Sequence, residues 1–244
     1  TDLVNNADSS SIFMSATHTH SGPDTIGLWG IPPFSGKNKK YMQFLREQIA
    51  AAIDESVANL KNGSLRFAGG EFPGHSSGRE NNPPDYGFAI MQVLLSSGAP
   101  VTLVNFGVHA DVVKSFYVSA DFPYYLSERL GRLTGGEVMF MPGAIGGVQP
   151  KDDNNYDFFY VRTLGENLAD AVFRALKKPI IPKNSDMAGR NRVINVPLQN
   201  KKFLWAAKMG IISNIADENK RIEVMLVRLK IGPAEIVTVP GELF

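Results

Sequence analysis

Apolar residues recur every three or four positions in four stretches of the chain, which is the spacing of one face of a helix. The clearest stretch runs from Lys39 to Leu60, where Asn62-Gly63 supplies a stop signal. Another begins after Asp121, a residue suited to a helix N-cap, and ends near Gly135. The same spacing predicts two further helices, over residues 158–177 and 201–218.

Shorter apolar runs bounded by Gly, Pro, Ser and Asn predict strands between and beside these helices. They cover residues 10–17, 64–69, 88–95, 101–108, 137–141, 190–197, 222–230 and 234–239. The runs at 88–95 and 101–108 flank Ser-Ser-Gly-Ala-Pro and predict a hairpin. The alternation of strands and helices predicts an α/β or α+β fold, with a mixed β-sheet core and helices packed outside.

Length and composition fit a single domain over residues 1–244, and Pro182–Arg190 is the one segment where a linker could divide it. The net charge of +1 offers no electrostatic footprint for nucleic acid, and no apolar run is long enough for a transmembrane segment. The absence of cysteine excludes disulfides and thiolate metal sites. The sequence lacks an initiator Met and stops just after an apolar run, so we expect a chain cut at both ends.

Candidate metal ligands follow three of the predicted strands. Ser15–Pro23 holds His18 and His20, two of the four histidines, and the later runs lead into His109 and Glu242. Alternate residues of an extended segment share a face, so His18 and His20 should point the same way. Two imidazoles and one carboxylate are a donor set for a hydrolytic zinc ion. Satisfied polar side chains near turns are the alternative interpretation.

Other motifs are less specific. The glycine-rich segment 143–147 lacks the Gly-Lys-Ser/Thr ending of a phosphate loop, but its backbone N–H groups could receive an oxyanion, or its glycines could serve only the turn. His75 lies in a polar loop typical of a solvated histidine. Arg79, in the same loop, is either a substrate clamp or an exposed side chain. Asp111 could orient an imidazole or lie on the surface.

Five motifs in order make the chain resemble the catalytic domain of the neutral/alkaline non-lysosomal ceramidases. They are Thr17-His-Thr-His-Ser-Gly-Pro23, the strand ending in His109, Ser119-Ala-Asp-Phe-Pro123, Pro142-Gly-Ala-Ile-Gly-Gly-Val-Gln-Pro150 and Val239-Pro-Gly-Glu242. The resemblance spans essentially the whole chain and is strongest to bacterial ceramidase-like proteins.

The resemblance implies a zinc amidase that hydrolyses the N-acyl bond of a sphingolipid, ceramide. It implies one zinc ion with His18, His109 and Glu242 as ligands, and a further tyrosine ligand beyond Phe244. It makes His20 a hydrogen-bond donor near the developing oxyanion and aligns Arg79 with a family arginine. It also suggests a secreted protein, extracellular or periplasmic.

One position departs from the family pattern. Where the ceramidases carry Gly-Asp-Val-Ser-Pro, with the serine as proposed nucleophile, this chain has Gly146-Gly-Val-Gln-Pro150. Gln149 cannot act as a nucleophile. The sequence therefore predicts a zinc-dependent hydrolase of an amide or ester bond in a small-molecule or lipid substrate. The alternatives are a true ceramidase that uses metal-bound water and a non-catalytic binding or structural domain.

Overall fold

The computed structural model describes residues 4–5, 12–31, 34–79, 83–113, 117–151, 157–209 and 221–241. The helices of this described part are α1 (Lys39–Ala58), α2 (Phe122–Thr134), α3 (Phe158–Ala175) and α4 (Lys201–Lys208). Its strands are β1 (Gly63–Glu71), β2 (Ser76–Gly78), β3 (Gly87–Leu95), β4 (Val101–Phe106), β5 (Glu137–Pro142), β6 (Val148–Pro150), β7 (Met187–Pro197), β8 (Arg221–Ile231) and β9 (Ala234–Val237).

The predicted fold class is confirmed, because the chain forms mixed α/β structure with sheets and helices. The predicted hairpin is also present, since β3 and β4 pair antiparallel. The helix predicted over residues 201–218 is described only as α4, and residues 210–220 lie outside the described part of the chain.

The strand predicted at residues 10–17 is wrong over its described part, because residues 12–17 belong to no strand. Phe13 and Met14 are 39% and 65% exposed, so this apolar run does not enter a core. An apolar run forms a strand only when a neighbouring strand receives its backbone hydrogen bonds, and the apolar pattern alone does not supply that neighbour.

The main sheet has four strands in the order β1-β3-β4-β5. The pairs β1–β3 and β3–β4 are antiparallel, whereas β4 and β5 are parallel and joined through α2. The carboxyl ends of β4 and β5 therefore meet at one edge of the sheet, which is where open α/β sheets place their ligand sites. Two smaller sheets have the orders β2-β6 and β7-β8-β9.

The largest core cluster lies between this sheet and the helices α2 and α3. Leu126 of α2 and Leu164 of α3 are fully buried, and each contributes roughly 1.5–3 kcal/mol through removal from water. The two helices approach closely at Gly165, where an added Cβ would lie 2.5 Å from the Phe122 carbonyl oxygen. This packing fixes the beginning of α2, from which Asp121 projects.

The described residues fall into two compact units. The first unit draws on Thr1–Phe13, Pro23–Leu60 and Gly189–Arg228, and the second unit comprises the described residues of the remaining ranges. The chain passes from the second unit to the first within the Pro182–Arg190 segment, where the sequence indicated that a linker could lie. A single domain over residues 1–244 stays a prediction. Within the described residues, no helix combines the length and apolarity needed to cross a membrane.

Candidate metal centre

Three histidines lie together in the second unit. The ring centroids of His18 and His20 are 5.0 Å apart, those of His18 and His109 are 5.1 Å apart, and those of His20 and His109 are 5.5 Å apart. Each ring offers a nitrogen, and the three nitrogens lie within 4.8 Å of one another. The arrangement joins side chains from two loops that are about ninety positions apart in the sequence.

His109 follows β4 by three residues and is 1% exposed. Its Nδ1 lies 2.9 Å from the Val148 carbonyl oxygen at the start of β6. A carbonyl oxygen can only accept, so Nδ1 carries the ring proton and donates it. In the neutral ring this leaves Nε2, a buried atom, as the nitrogen that could bind a metal ion.

His18 and His20 reach the cluster from an irregular loop. His18 has a φ of 61°, a left-handed backbone conformation that is uncommon for residues other than glycine. The two side chains therefore meet without the extended backbone that the sequence pattern predicted. The His20 backbone N–H donates to the Ala110 carbonyl oxygen at 3.0 Å, which joins this loop to the residue after His109.

Hydroxyl groups tie the same loop to its neighbours. Thr19 Oγ1 donates to the Ser119 carbonyl oxygen at 2.7 Å, and Ser21 Oγ donates to the Val113 carbonyl oxygen at 2.9 Å. The Ser119 N–H in turn donates to the Ser21 carbonyl oxygen at 2.9 Å. The segment is thus held by bonds on both sides of His20.

Asp121 is a fully buried carboxylate at the N-terminus of α2. Its Oδ2 accepts from the Val113 N–H at 2.8 Å, and its Oδ1 accepts from the Phe122 N–H at 2.7 Å. Burial raises the pKa of this carboxyl above its ordinary value, and the charge of Asp111 raises it further, whereas the backbone N–H bonds oppose the shift.

Asp121 also has a strained backbone, with φ at 59° and ψ at −157°. This region is populated almost only by glycine and costs on the order of 1–3 kcal/mol for other residues. Such a conformation persists where the surrounding structure fixes it.

The glycine-rich segment lies beside His109. It connects β5 to β6. The carbonyl oxygen of Val148, the first residue of β6, accepts the hydrogen bond from His109 Nδ1. Gln149, half-buried, follows directly and pairs with Ser77 across the β2–β6 ladder. The Arg79 N–H donates to the Gly147 carbonyl oxygen at 2.8 Å, so the Arg79 backbone meets the same segment.

The remaining histidine, His75, is not part of this cluster. His75 stacks on Phe72 with ring centroids 4.5 Å apart. Burial lowers the pKa of His75, and the nearby charge of Lys151 lowers it further. Glu242 lies outside the described residues, so its place in the site stays a prediction.

The donor chemistry of the cluster suits a transition metal. Imidazole is the usual ligand for zinc, and a hydrogen bond from the second ring nitrogen to a carbonyl is the common way of fixing such a ligand. His109 has this bond, and its Nε2 is buried next to two further imidazoles. The three histidines could therefore hold a metal ion.

Sequence reasoning missed the groups that support the histidines. The Val148 carbonyl and the bond from Val113 to Asp121 involve backbone atoms, which no residue-type pattern reveals. The only available signal was Asp121 itself, which the sequence assigned to an N-cap. Its second bond, to a residue eight positions earlier, is a tertiary contact.

Solved structures place this architecture among known folds. The chain resembles the crystal structure of neutral ceramidase from Pseudomonas aeruginosa with a TM-score of 0.71 at 16% identity, over 93% of this chain and 48% of that chain. A ceramidase complexed with C2 matches with a TM-score of 0.70 at 16% identity, over 93% of this chain and 50% of that one.

The chain thus spans about half the length of the solved structures that it matches. No protein-family model and no curated protein matches the sequence. At this level of identity the similarity establishes a ceramidase-like fold.

Proposed function

We propose that this protein is a metal-dependent hydrolase of a linear amide or ester bond, with the histidine cluster as its centre. The observation that carries the proposal is the convergence of His18, His20 and His109 at the edge of the sheet where β4 and β5 end. The ceramidase-like fold of the solved neighbours supports an N-acyl substrate, as a small molecule or a lipid.

His18 and His109 are the proposed metal ligands, and Glu242 is the proposed third ligand from the sequence. The His109 ring is oriented for this role by its bond to the Val148 carbonyl. A zinc ion held by these residues would supply Lewis acidity and lower the pKa of a bound water towards neutrality.

His20 is the proposed hydrogen-bond donor to the developing oxyanion. Its residue is exposed, whereas His109 is buried, and an exposed ring next to the ligands can face a substrate. Alanine in place of His20 should then abolish most turnover and leave the metal content unchanged. Loss of metal in that variant would instead make His20 a ligand.

Arg79 and Gln149 complete the proposed substrate side. Both are half-buried, and their backbones belong to the β2–β6 region next to His109. A preorganised polar donor aimed at the transition state typically contributes about 10²–10³ in rate. Gln149→Ala should slow turnover by this order and leave the metal content unchanged. Full activity in that variant would limit the segment to a structural role.

The direct test is a hydrolysis screen of zinc-loaded protein on ceramide, shorter N-acyl amines and acyl esters. His18→Ala should abolish turnover, whereas His75→Ala should retain it because His75 packs on Phe72. Turnover of ceramide by the wild type would extend the proposal to a true ceramidase. Absence of turnover on every amide and ester would overturn it.

A non-catalytic binding domain is the second candidate, and Gln149 is the observation that favours it. This residue stands where the resembled family has its proposed nucleophile. Under this alternative, the wild type would bind an N-acyl ligand without cleaving it, and Gln149→Ser would be the variant in which cleavage appears. Cleavage by the wild type excludes the alternative. A single catalytic domain and an extracellular or periplasmic location stay predictions.

A further inference from the structure

Asp121 connects the beginning of α2 to the irregular segment that follows β4, and both belong to the second unit. One carboxylate oxygen accepts from Phe122, the first residue of α2, and the other accepts from Val113, in the segment that follows β4. The side chain is fully buried, so water does not compete for these bonds. The beginning of a packed helix is thereby bonded to a loop whose described residues 107–113 have no regular secondary structure.

That loop supplies one histidine of the cluster. It contains His109, and its Ala110 carbonyl oxygen receives the His20 N–H. Its Val113 residue is held twice, because the N–H donates to Asp121 and the carbonyl oxygen accepts from Ser21 Oγ. A shift of Val113 would therefore reach both His109 and the loop with His18 and His20.

The backbone of Asp121 indicates that its side chain is required at this place. A φ of 59° and a ψ of −157° favour glycine, yet the position holds a carboxylate whose two oxygens are both bonded. A helix cap alone does not need this conformation. Asp157 caps α3 with a bond to the Tyr160 N–H at 2.8 Å, and its backbone is extended, with φ at −107°.

We propose that Asp121 is a positioning residue, whose carboxylate holds the His109 loop against the beginning of α2 and so brings His109 to His18 and His20. In this role it acts through its bond to the Val113 N–H. The metal-affinity part of its test rests on the proposed function above, whereas the geometric part does not.

The first measurement compares Asp121→Asn with Asp157→Asn, which removes charge from a matched N-cap. Cobalt(II) is titrated into each folded protein, with its visible absorption as the signal. Partners that orient a metal ligand typically contribute about 10–100-fold in affinity, and Asp121→Asn should lose an amount in this range. Asp157→Asn should bind within about 2-fold of the wild type, since a cap of α3 does not touch the histidine loops. Equal affinities in the two folded variants would overturn the proposal.

The second measurement is the crystal structure of the Asp121 variant without metal. We expect the bond from His20 N to the Ala110 oxygen to be lost and the His20 and His109 rings to move apart from their 5.5 Å separation. Unmoved rings would overturn the proposal whatever the metal result. Displaced rings in a protein whose wild type binds no cobalt would support Asp121 and contradict the proposed function alone.

Asp121→Gly is the second variant if Asp121→Asn does not fold. Glycine adopts the observed φ without strain, so this change removes the carboxylate and relieves the backbone at the same time. It should fold and show the same displaced rings and weakened cobalt binding. A folded Asp121→Gly protein with wild-type geometry and affinity would overturn the proposal.

Discussion

Two loops of this protein are each held by one aspartate, and the two carboxylates show opposite pKa shifts. In the first unit, Asp24 accepts from the backbone N–H groups of Ile26, Gly27 and Trp29. In the second unit, Asp121 accepts from Val113 and Phe122. The first carboxylate closes a turn of its own neighbours, whereas the second joins the beginning of a helix to a residue eight positions earlier.

The difference in burial explains the pKa directions. Burial acts to raise the pKa of Asp24, but its three backbone N–H bonds and the charge of Lys37 outweigh it, so the pKa is lowered. For the fully buried Asp121, burial dominates and the pKa is raised. The same kind of bond thus accompanies a lowered pKa where burial is partial and a raised pKa where burial is complete.

The largest expected effect comes from removing the buried carboxylate of Asp121. Asp121→Ala leaves the N–H groups of Val113 and Phe122 without their acceptor, and each unsatisfied buried donor costs about 1–3 kcal/mol. We expect the free energy of unfolding to fall by about 2–4 kcal/mol, measured by urea denaturation. A fall in the free energy of unfolding below about 1 kcal/mol would mean that water replaces the carboxylate and that its two hydrogen bonds contribute little to stability.

A smaller effect with a defined pH dependence is expected for Asp24. Its folded pKa is lowered, so its contribution to stability is present above the ordinary value of 3.8 and is lost as the pH falls through the folded pKa. Asp24→Asn should cost about 0.5–1.5 kcal/mol at neutral pH, because the exposed N–H groups of Ile26 and Trp29 can bind water instead. This difference should vanish in strong acid.

Trp29 reports on this loop directly, because its backbone N–H donates to the Asp24 carboxylate and its side chain is 86% exposed. Fluorescence is recorded for Asp24→Asn and its parent, both with Trp205→Phe, so that Trp29 is the only tryptophan. A difference in Trp29 fluorescence between the two proteins that persists unchanged from neutral pH into strong acid would contradict a role for the charge of Asp24 in this loop.

Local patterns in the sequence predicted most of the second unit. The spacing of apolar residues indicated α2 and α3, and the Ser-Ser-Gly-Ala-Pro turn indicated the β3–β4 hairpin, because these signals act between near neighbours. The 10–17 run misled, since its described residues 12–17 belong to no strand and Phe13 and Met14 are exposed.

The candidate site was accessible from the sequence only in part. Motif order joined His18 and His109 in one predicted site, and their ring centroids lie 5.1 Å apart. No periodic pattern in the sequence indicates the left-handed backbone of His18 or the bond from the Val113 N–H to Asp121. Both depend on tertiary contacts, so only the structure reveals how the loops hold the rings.

The most direct test of the proposed centre is the zinc content and zinc affinity of the full chain. We expect one zinc ion per wild-type chain. Since outer partners of ligands alone contribute about 10–100-fold, His109→Ala should weaken binding by about 100-fold or more, whereas His75→Ala should bind like the wild type. Equal zinc binding by the wild type and His109→Ala, or none by either, would contradict a metal centre at this cluster.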